Sequence, residues 1–87
     1  MSWNYRIIKK QKDEYISYGI YEVYYDKDGS IKSWSADPMY PFLEIETDFE
    51  KDDVQGLKDE LHRMDKAFSK PILMEGYVNG KLKLMEV

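Results

Sequence analysis

Residues 14–25 constrain the fold most, because both faces of this stretch are apolar or aromatic. The stretch contains five tyrosines together with Ile16, Ile20 and Val23. Aromatic and β-branched residues favour an extended strand. Alternation along a strand divides the side chains into two faces, namely Tyr15, Tyr21, Val23 and Tyr25 on one and Ile16, Tyr18, Ile20 and Tyr24 on the other. We therefore expect both faces of the sheet that contains this strand to be covered.

Four further segments have the pattern of strands. Residues 3–10 place Trp3, Tyr5 and Ile7 on one face and Ile8 on the other. Residues 30–35, 72–78 and 81–87 complete the set. Asp26–Gly29 and the pair Asn79-Gly80 are hairpin signals, since glycine and asparagine accept the left-handed backbone that tight turns need. Gly19, inside the longest strand, indicates a bulge or a close approach of another backbone.

One helix is predicted over residues 48–68. Thr47 and Glu50 have the spacing of a capping box at its start, and Pro71 ends it. The apolar residues recur at intervals of three and four, which makes one stripe that we expect to face the sheet; they are Val54, Leu57, Leu61, Met64 and Phe68.

The order strand-strand-strand-helix-strand-strand predicts a single α+β domain over residues 1–87. Strands linked by hairpins favour an antiparallel sheet, with the one amphipathic helix packed on one face. A single helix covers only one face. Residues 36–47, which are apolar but interrupted by Pro38 and Pro41, are predicted to cover part of the other, and a second copy or a partner to complete its burial.

Composition excludes several classes of function. The 87 residues include no cysteine, and the formal net charge is −4. Residues 1–12 are basic, whereas residues 44–65 hold nine acids against three basic side chains. An acidic chain gains no long-range attraction to a polyanion, so nucleic acid is an unlikely partner. No apolar run is long enough to cross a membrane and the start lacks a signal peptide, so we predict a cytoplasmic protein.

No constellation of catalytic or metal-binding residues is visible. His62 is the only histidine, and it lies among charged residues of the helix. The acids of residues 44–53 lack the glycine turn of a calcium loop, and the isolated glycines form no phosphate-binding motif. We therefore predict no enzyme activity, no catalytic residue, no cofactor and no metal.

The aromatic residues are the strongest functional candidates. Tyrosine provides a large rigid contact area with a polar end, which is typical of protein interfaces; the predicted interface residues are Tyr15, Tyr18, Tyr21, Tyr24, Tyr25, Trp34, Tyr40 and Phe42. The alternative is that these side chains belong to the domain's own core. The best prediction is a protein-binding module, such as a small acidic inhibitor, an immunity- or antitoxin-like protein or a phage accessory factor, whose protein partner the sequence does not identify.

Two other functions stay open. A nucleic-acid-binding module would stack bases on the aromatic sheet beside the basic first strand; its residues would be Trp3, Tyr5, Arg6, Lys9, Lys10 and Lys12. A structural, self-associating domain would use the aromatic face to form a homodimer.

Several short motifs occur in an order that resembles a family of small uncharacterised bacterial and phage proteins. They are Met1-Ser2-Trp3-Asn4-Tyr5-Arg6, Tyr21-Glu22-Val23-Tyr24-Tyr25-Asp26 leading to Asp28-Gly29, Ser33-Trp34 followed by Asp37-Pro38, and Lys70-Pro71-Ile72-Leu73. The resemblance covers about residues 1–75, and residues 76–87 depart from the pattern. It implies no activity and assigns no functional residue.

Overall fold

The computed structural model describes residues 2–42 and 54–87. They form five strands: β1 (Ser2–Lys12), β2 (Tyr15–Tyr25), β3 (Ile31–Trp34), β4 (Leu73–Val78) and β5 (Lys81–Glu86). The helix α1 (Val54–Asp65) follows β3 and leads directly into a 3-10 helix, Lys66–Ser69. The α+β class and the predicted order of elements are confirmed. The capping box at Thr47 and Glu50 lies outside the described residues.

The five strands make one sheet with the order β3-β2-β1-β4-β5. All neighbours are antiparallel except β1 and β4, which pair in parallel through Ile8 with Leu73 and Lys9 with Met74. The expectation of a purely antiparallel sheet therefore missed one pair. The helical connection explains it, because a crossover lets β4 return beside β1 in the same direction, which a hairpin cannot do.

The turns follow the residue types that permit them. Asp13 has a φ of 54° and lies in the turn between β1 and β2. The strand β1 extends to Lys12, two residues beyond the strand predicted over residues 3–10. Gly29 has a φ of 85° in the hairpin between β2 and β3. Asn79 and Gly80, with φ of 52° and 77°, close the β4–β5 hairpin as predicted.

One core cluster lies between the sheet and the helical segment. Tyr5 and Ile7 project from β1 onto Met64 of α1 and Ala67 of the 3-10 helix, and all four are buried. Tyr5 donates a hydrogen bond to Glu60, which also pairs with Arg63 one helical turn further on. We call this side of the sheet the helix face.

The opposite side of the sheet, the Trp34 face, has a core of its own. Ile8, Tyr21, Val23 and Leu73 are buried there, and they are packed against a ring of partly buried hydrophobic side chains, namely Tyr25, Ile31, Trp34 and Leu84. The indole of Trp34 on β3 donates a hydrogen bond of 2.9 Å to Glu75 on β4. These strands are separated by β1 and β2, so the sheet must curl strongly towards this face.

Arg6 is the buried polar side chain of the Trp34 face. Its guanidinium donates to the hydroxyl of Tyr25 at 3.1 Å and to the carbonyl of Pro71 at 2.8 Å. The Tyr25 hydroxyl donates in turn to Asn4 at 2.8 Å. These bonds join β1, β2 and the chain before β4, and they close one end of the second core.

Candidate functional site

The predicted interface residues divide into two groups, because the sheet buries one of its faces by curling. Tyr21 is 4% exposed, and Tyr25 and Trp34 are partly buried against the same core. Tyr21, Tyr25 and Trp34 are buried, fully or in part, by contacts within the chain. For these three side chains the alternative prediction holds, namely that they belong to the domain's own core. Curvature of this kind has no signature in the alternation of residues along one strand.

The other members of the predicted set lie at the surface or near it. Tyr15, Tyr18, Tyr40 and Phe42 are exposed. The Tyr40 and Phe42 rings pack edge to face at 5.9 Å. Tyr24 is partly buried and donates to Glu22 at 2.7 Å, and this hydrogen bond is the main reason that the pKa of Tyr24 is raised. Tyr18, Tyr40 and Phe42 remain available for contact with another molecule.

The apolar stripe along α1 and the 3-10 helix faces the sheet with only one of its five residues, which corrects the sequence prediction. Met64 is 2% exposed, whereas Leu61 is 53% and Phe68 is 69% exposed. Val54 and Leu57 are also exposed. The helix is held over β1 by Met64, Ala67 and Glu60, so its contact side is rotated away from the centre of the stripe. The remaining apolar residues therefore line the flank of the helix.

A groove runs between this flank and β2, and we call it the α1–β2 groove. It consists of two adjoining cavities of about 440 Å³ and 420 Å³ that share Ile20 and Phe68. Its apolar lining comprises Ile7, Tyr18, Ile20, Pro38, Met39, Leu61, Met64 and Phe68. Tyr18 is the only member of the predicted interface in this lining. Leu61 and Phe68 were missed because the sequence pattern assigned the helix stripe to the core, and Met39 was missed because residues 36–47 were expected to cover a face of the sheet.

Residues 35–39 form the far wall of the groove. The Ser35 amide donates to the carbonyl of Glu22 at 2.9 Å, and the Met39 amide donates to that of Ile20 at 2.7 Å. This close course along β2 favours a glycine at position 19, since a Cβ atom there would lie 3.2 Å from the Cβ of Pro38 and 2.9 Å from the ring of Tyr21. The predicted close approach at Gly19 is confirmed. Of the segment predicted to cover a face of the sheet, residues 43–47 lie outside the described residues.

The rim of the groove is charged and polar. Lys58, Asp59, His62 and Asp65 border the larger cavity. Asp59 accepts a hydrogen bond from Gln55 at 2.8 Å. Lys58 and Asp65 are exposed, and within the described residues neither takes part in an ion pair or a side-chain hydrogen bond. An apolar floor with a charged rim is the usual anatomy of a protein interface.

The titratable groups near the sheet serve packing. Burial and the contact with Glu60 raise the pKa of Tyr5 far above its ordinary value of 10.0, so this hydroxyl acts as a hydrogen-bond donor. The Nζ atom of Lys10 lies 3.7 Å from a carboxylate oxygen of Glu75 and donates a hydrogen bond of 3.1 Å to the carbonyl of Ala36. The same atom lies 4.6 Å from the centre of the Tyr21 ring. The Tyr5 hydroxyl and the Lys10 ammonium group each connect separate elements of the fold.

The described part of the chain contains no cluster of three or more histidine, cysteine, aspartate or glutamate residues that could hold a metal ion. Within those same residues, no helix is long and apolar enough to cross a membrane.

The six residues of the predicted nucleic-acid surface lie on both sides of the sheet. Tyr5 is buried under the helix with Trp3 beside it at 5.1 Å, and Lys9 is on the same side of β1. Arg6 and Lys10 are on the Trp34 side, where each is occupied by contacts within the chain, and Lys12 is on that side by alternation. Together they form no continuous basic and aromatic surface.

Comparison with known proteins gives no relative. No family model, no curated protein and no solved structure matches the chain at a significant level. The resemblance of residues 1–75 to small bacterial and phage proteins therefore stays a prediction.

Proposed function

We propose that the protein is a non-enzymatic, cytoplasmic protein-binding module and that the α1–β2 groove is its docking surface. One observation carries the proposal: Leu61 and Phe68, which the fold could have buried, lie at the surface beside Tyr18 and Ile20. Contiguous exposed apolar surface is uncommon on monomeric proteins and marks sites of association.

The shape and the borders of the groove support the same function. Its two cavities share Ile20 and Phe68, and they have a helix flank on one side and the chain of residues 35–39 on the other. Amphipathic segments bind in such clefts by inserting apolar side chains. The charged groups on the rim are suited to fixing the orientation of an occupant.

The test is a comparison of proteins captured from the native host by three immobilised variants. Phe68→Ser removes an apolar group from the groove, and Tyr77→Ser removes one of similar exposure from β4, outside the groove. We expect the wild-type protein and Tyr77→Ser to retain a common partner that Phe68→Ser loses. Capture that is the same for all three variants would contradict the assignment of the groove.

A further inference from the structure

We infer that the occupant of the α1–β2 groove is the α1 helix of a second copy, so that the two helices pair antiparallel in a symmetric homodimer. This inference rests on the proposed function, because it identifies the partner of the same surface. Three features of the helical segment lead to it: an apolar flank, two opposite charges beside that flank that have no ionic partner among the described residues, and the position of those charges along the helix.

The apolar flank has the spacing of a helix–helix seam. Leu57 and Leu61 of α1 and Phe68 of the 3-10 helix that continues it follow one another at intervals of four and seven residues, and all three are exposed. Apolar residues at such intervals keep one side of a helix against a neighbouring helix over several turns. The sheet does not supply this neighbour, because Met64 is the member of the stripe that faces it.

The charges beside the flank are self-complementary. Lys58 and Asp65 are seven residues apart, which places them on the same side of the helix at about 10 Å separation along its axis. Both are exposed and neither has an ionic partner among the described residues. A symmetric interface must bring each patch against a copy of itself. A patch with one positive and one negative end is complementary to its own copy when the two helices run antiparallel.

The position of the two charges fixes the register. Leu61 and His62 lie midway between Lys58 and Asp65. A twofold axis at this midpoint sets Lys58 of each copy opposite Asp65 of the other, which gives two identical ion pairs on either side of the Leu61 contacts. A symmetric parallel arrangement would instead bring Asp65 towards Asp65 and Lys58 towards Lys58 of the second copy, where like charges repel.

The sheet surface beside α1 carries further apolar side chains that the second helix can contact. Tyr18, Ile20 and Met39 form the wall of the groove opposite Leu61 and Phe68. A helix with its side chains is about 10 Å wide, and in this arrangement its apolar flank contacts both α1 and the Tyr18–Ile20 wall. Each copy thereby covers the exposed apolar residues of the other.

The experiment is sedimentation analysis of purified protein over a wide dilution series, with charge reversals at the two positions. We expect the wild-type chain to show a concentration-dependent dimer. Lys58→Glu alone and Asp65→Lys alone should each raise the dissociation constant about tenfold or more, since each replaces two attractions by two repulsions. The double variant should restore the dimer, and an equal mixture of the two single variants should form a heterodimer.

Matched controls keep the outcome specific. Glu86→Lys and Lys66→Glu change the net charge by the same amounts, but both residues are exposed and neither lines the α1–β2 groove, so they should leave the dissociation constant unchanged. Circular dichroism checks that each variant is folded. A wild-type chain that stays monomeric at every concentration would overturn the inference, and so would single reversals that dimerise as well as the wild type. A monomer whose host partner is still lost on Phe68→Ser would refute the second copy while leaving the proposed function standing.

Discussion

The indole nitrogen of Trp34 lies 2.9 Å from a carboxylate oxygen of Glu75, although two strands separate the strands that carry them. In a flat sheet, strands three positions apart are about 14 Å from each other. The hydrogen bond therefore exists because the sheet curls, and it joins the two halves of the Trp34 face over Ile8 and Val23, which are fully buried.

Loss of this bond should weaken the fold measurably. Trp34→Phe keeps an aromatic ring but removes the donor, and we expect the free energy of unfolding to fall by about 1–2 kcal/mol. Trp3→Phe is the matched control, because Trp3 is half exposed and its contacts are with the rings of Tyr5 and Tyr24. Urea denaturation of both variants measures the difference. Equal losses would show that the bond between Trp34 and Glu75 contributes nothing.

The rotation of α1 on the sheet predicts unequal effects of two truncations in the same stripe. Met64→Ala removes a buried side chain and should cost about 2–5 kcal/mol. Leu61→Ala removes one that is half exposed and should cost under about 1 kcal/mol in the monomer. Chemical denaturation at low protein concentration gives both values. A larger loss for Leu61 than for Met64 would mean that the stripe faces the sheet after all.

This contrast shows what periodicity can predict. Spacing alone indicated that α1 has an apolar side, and the structure confirms the helix over Val54–Asp65. Which residue of that side touches the sheet depends on the contacts that Glu60 and Ala67 make with β1. Tyr5 and Glu60, for example, are 55 residues apart in the sequence. Long-range contacts of this kind have no local pattern, so the groove could not be predicted from the sequence.

Hairpins, by contrast, were predictable because their causes are local. Gly29, Asn79 and Gly80 adopt the positive φ that their residue types favour. The parallel pairing of β1 with β4 was missed for the opposite reason, since it depends on the crossover connection as a whole. The division of the tyrosines between core and surface was also missed, because it depends on the curl of the whole sheet.

Gly19 should be intolerant of a side chain. A Cβ atom at this position would lie 2.9 Å from the ring of Tyr21 and 3.2 Å from Pro38. We expect Gly19→Ala to destabilise the fold by about 1–3 kcal/mol. Gly76→Ala is the control, because the close atom there is the terminal methyl of Met85, which can move. Thermal unfolding of the pair tests this, and a Gly19→Ala variant as stable as Gly76→Ala would be evidence against the close course of residues 35–39.

The raised pKa of Tyr5 predicts a dependence of stability on alkaline pH. Burial and the contact with Glu60 favour the protonated hydroxyl in the folded chain. Its contribution to stability is therefore complete below about pH 10, the value in the unfolded chain, and is lost as the pH rises towards the higher folded pKa. Tyr5→Phe should lose less stability over this range than wild type, whereas Tyr15→Phe should follow wild type. The melting temperature as a function of pH distinguishes the three.

Side-chain footprinting in dilute solution and inside the native host tests the docking role of the α1–β2 groove most directly. Hydroxyl radicals modify exposed aromatic and sulfur-containing side chains, so Phe68 and Tyr18 should react readily in the dilute protein, whereas buried Met64 should not. If the groove is occupied in the cell, Phe68 and Tyr18 become protected there, while Tyr77, exposed outside the groove, reacts equally in both settings. Equal modification of Phe68 and Tyr18 in the cell and in dilute solution would contradict the account.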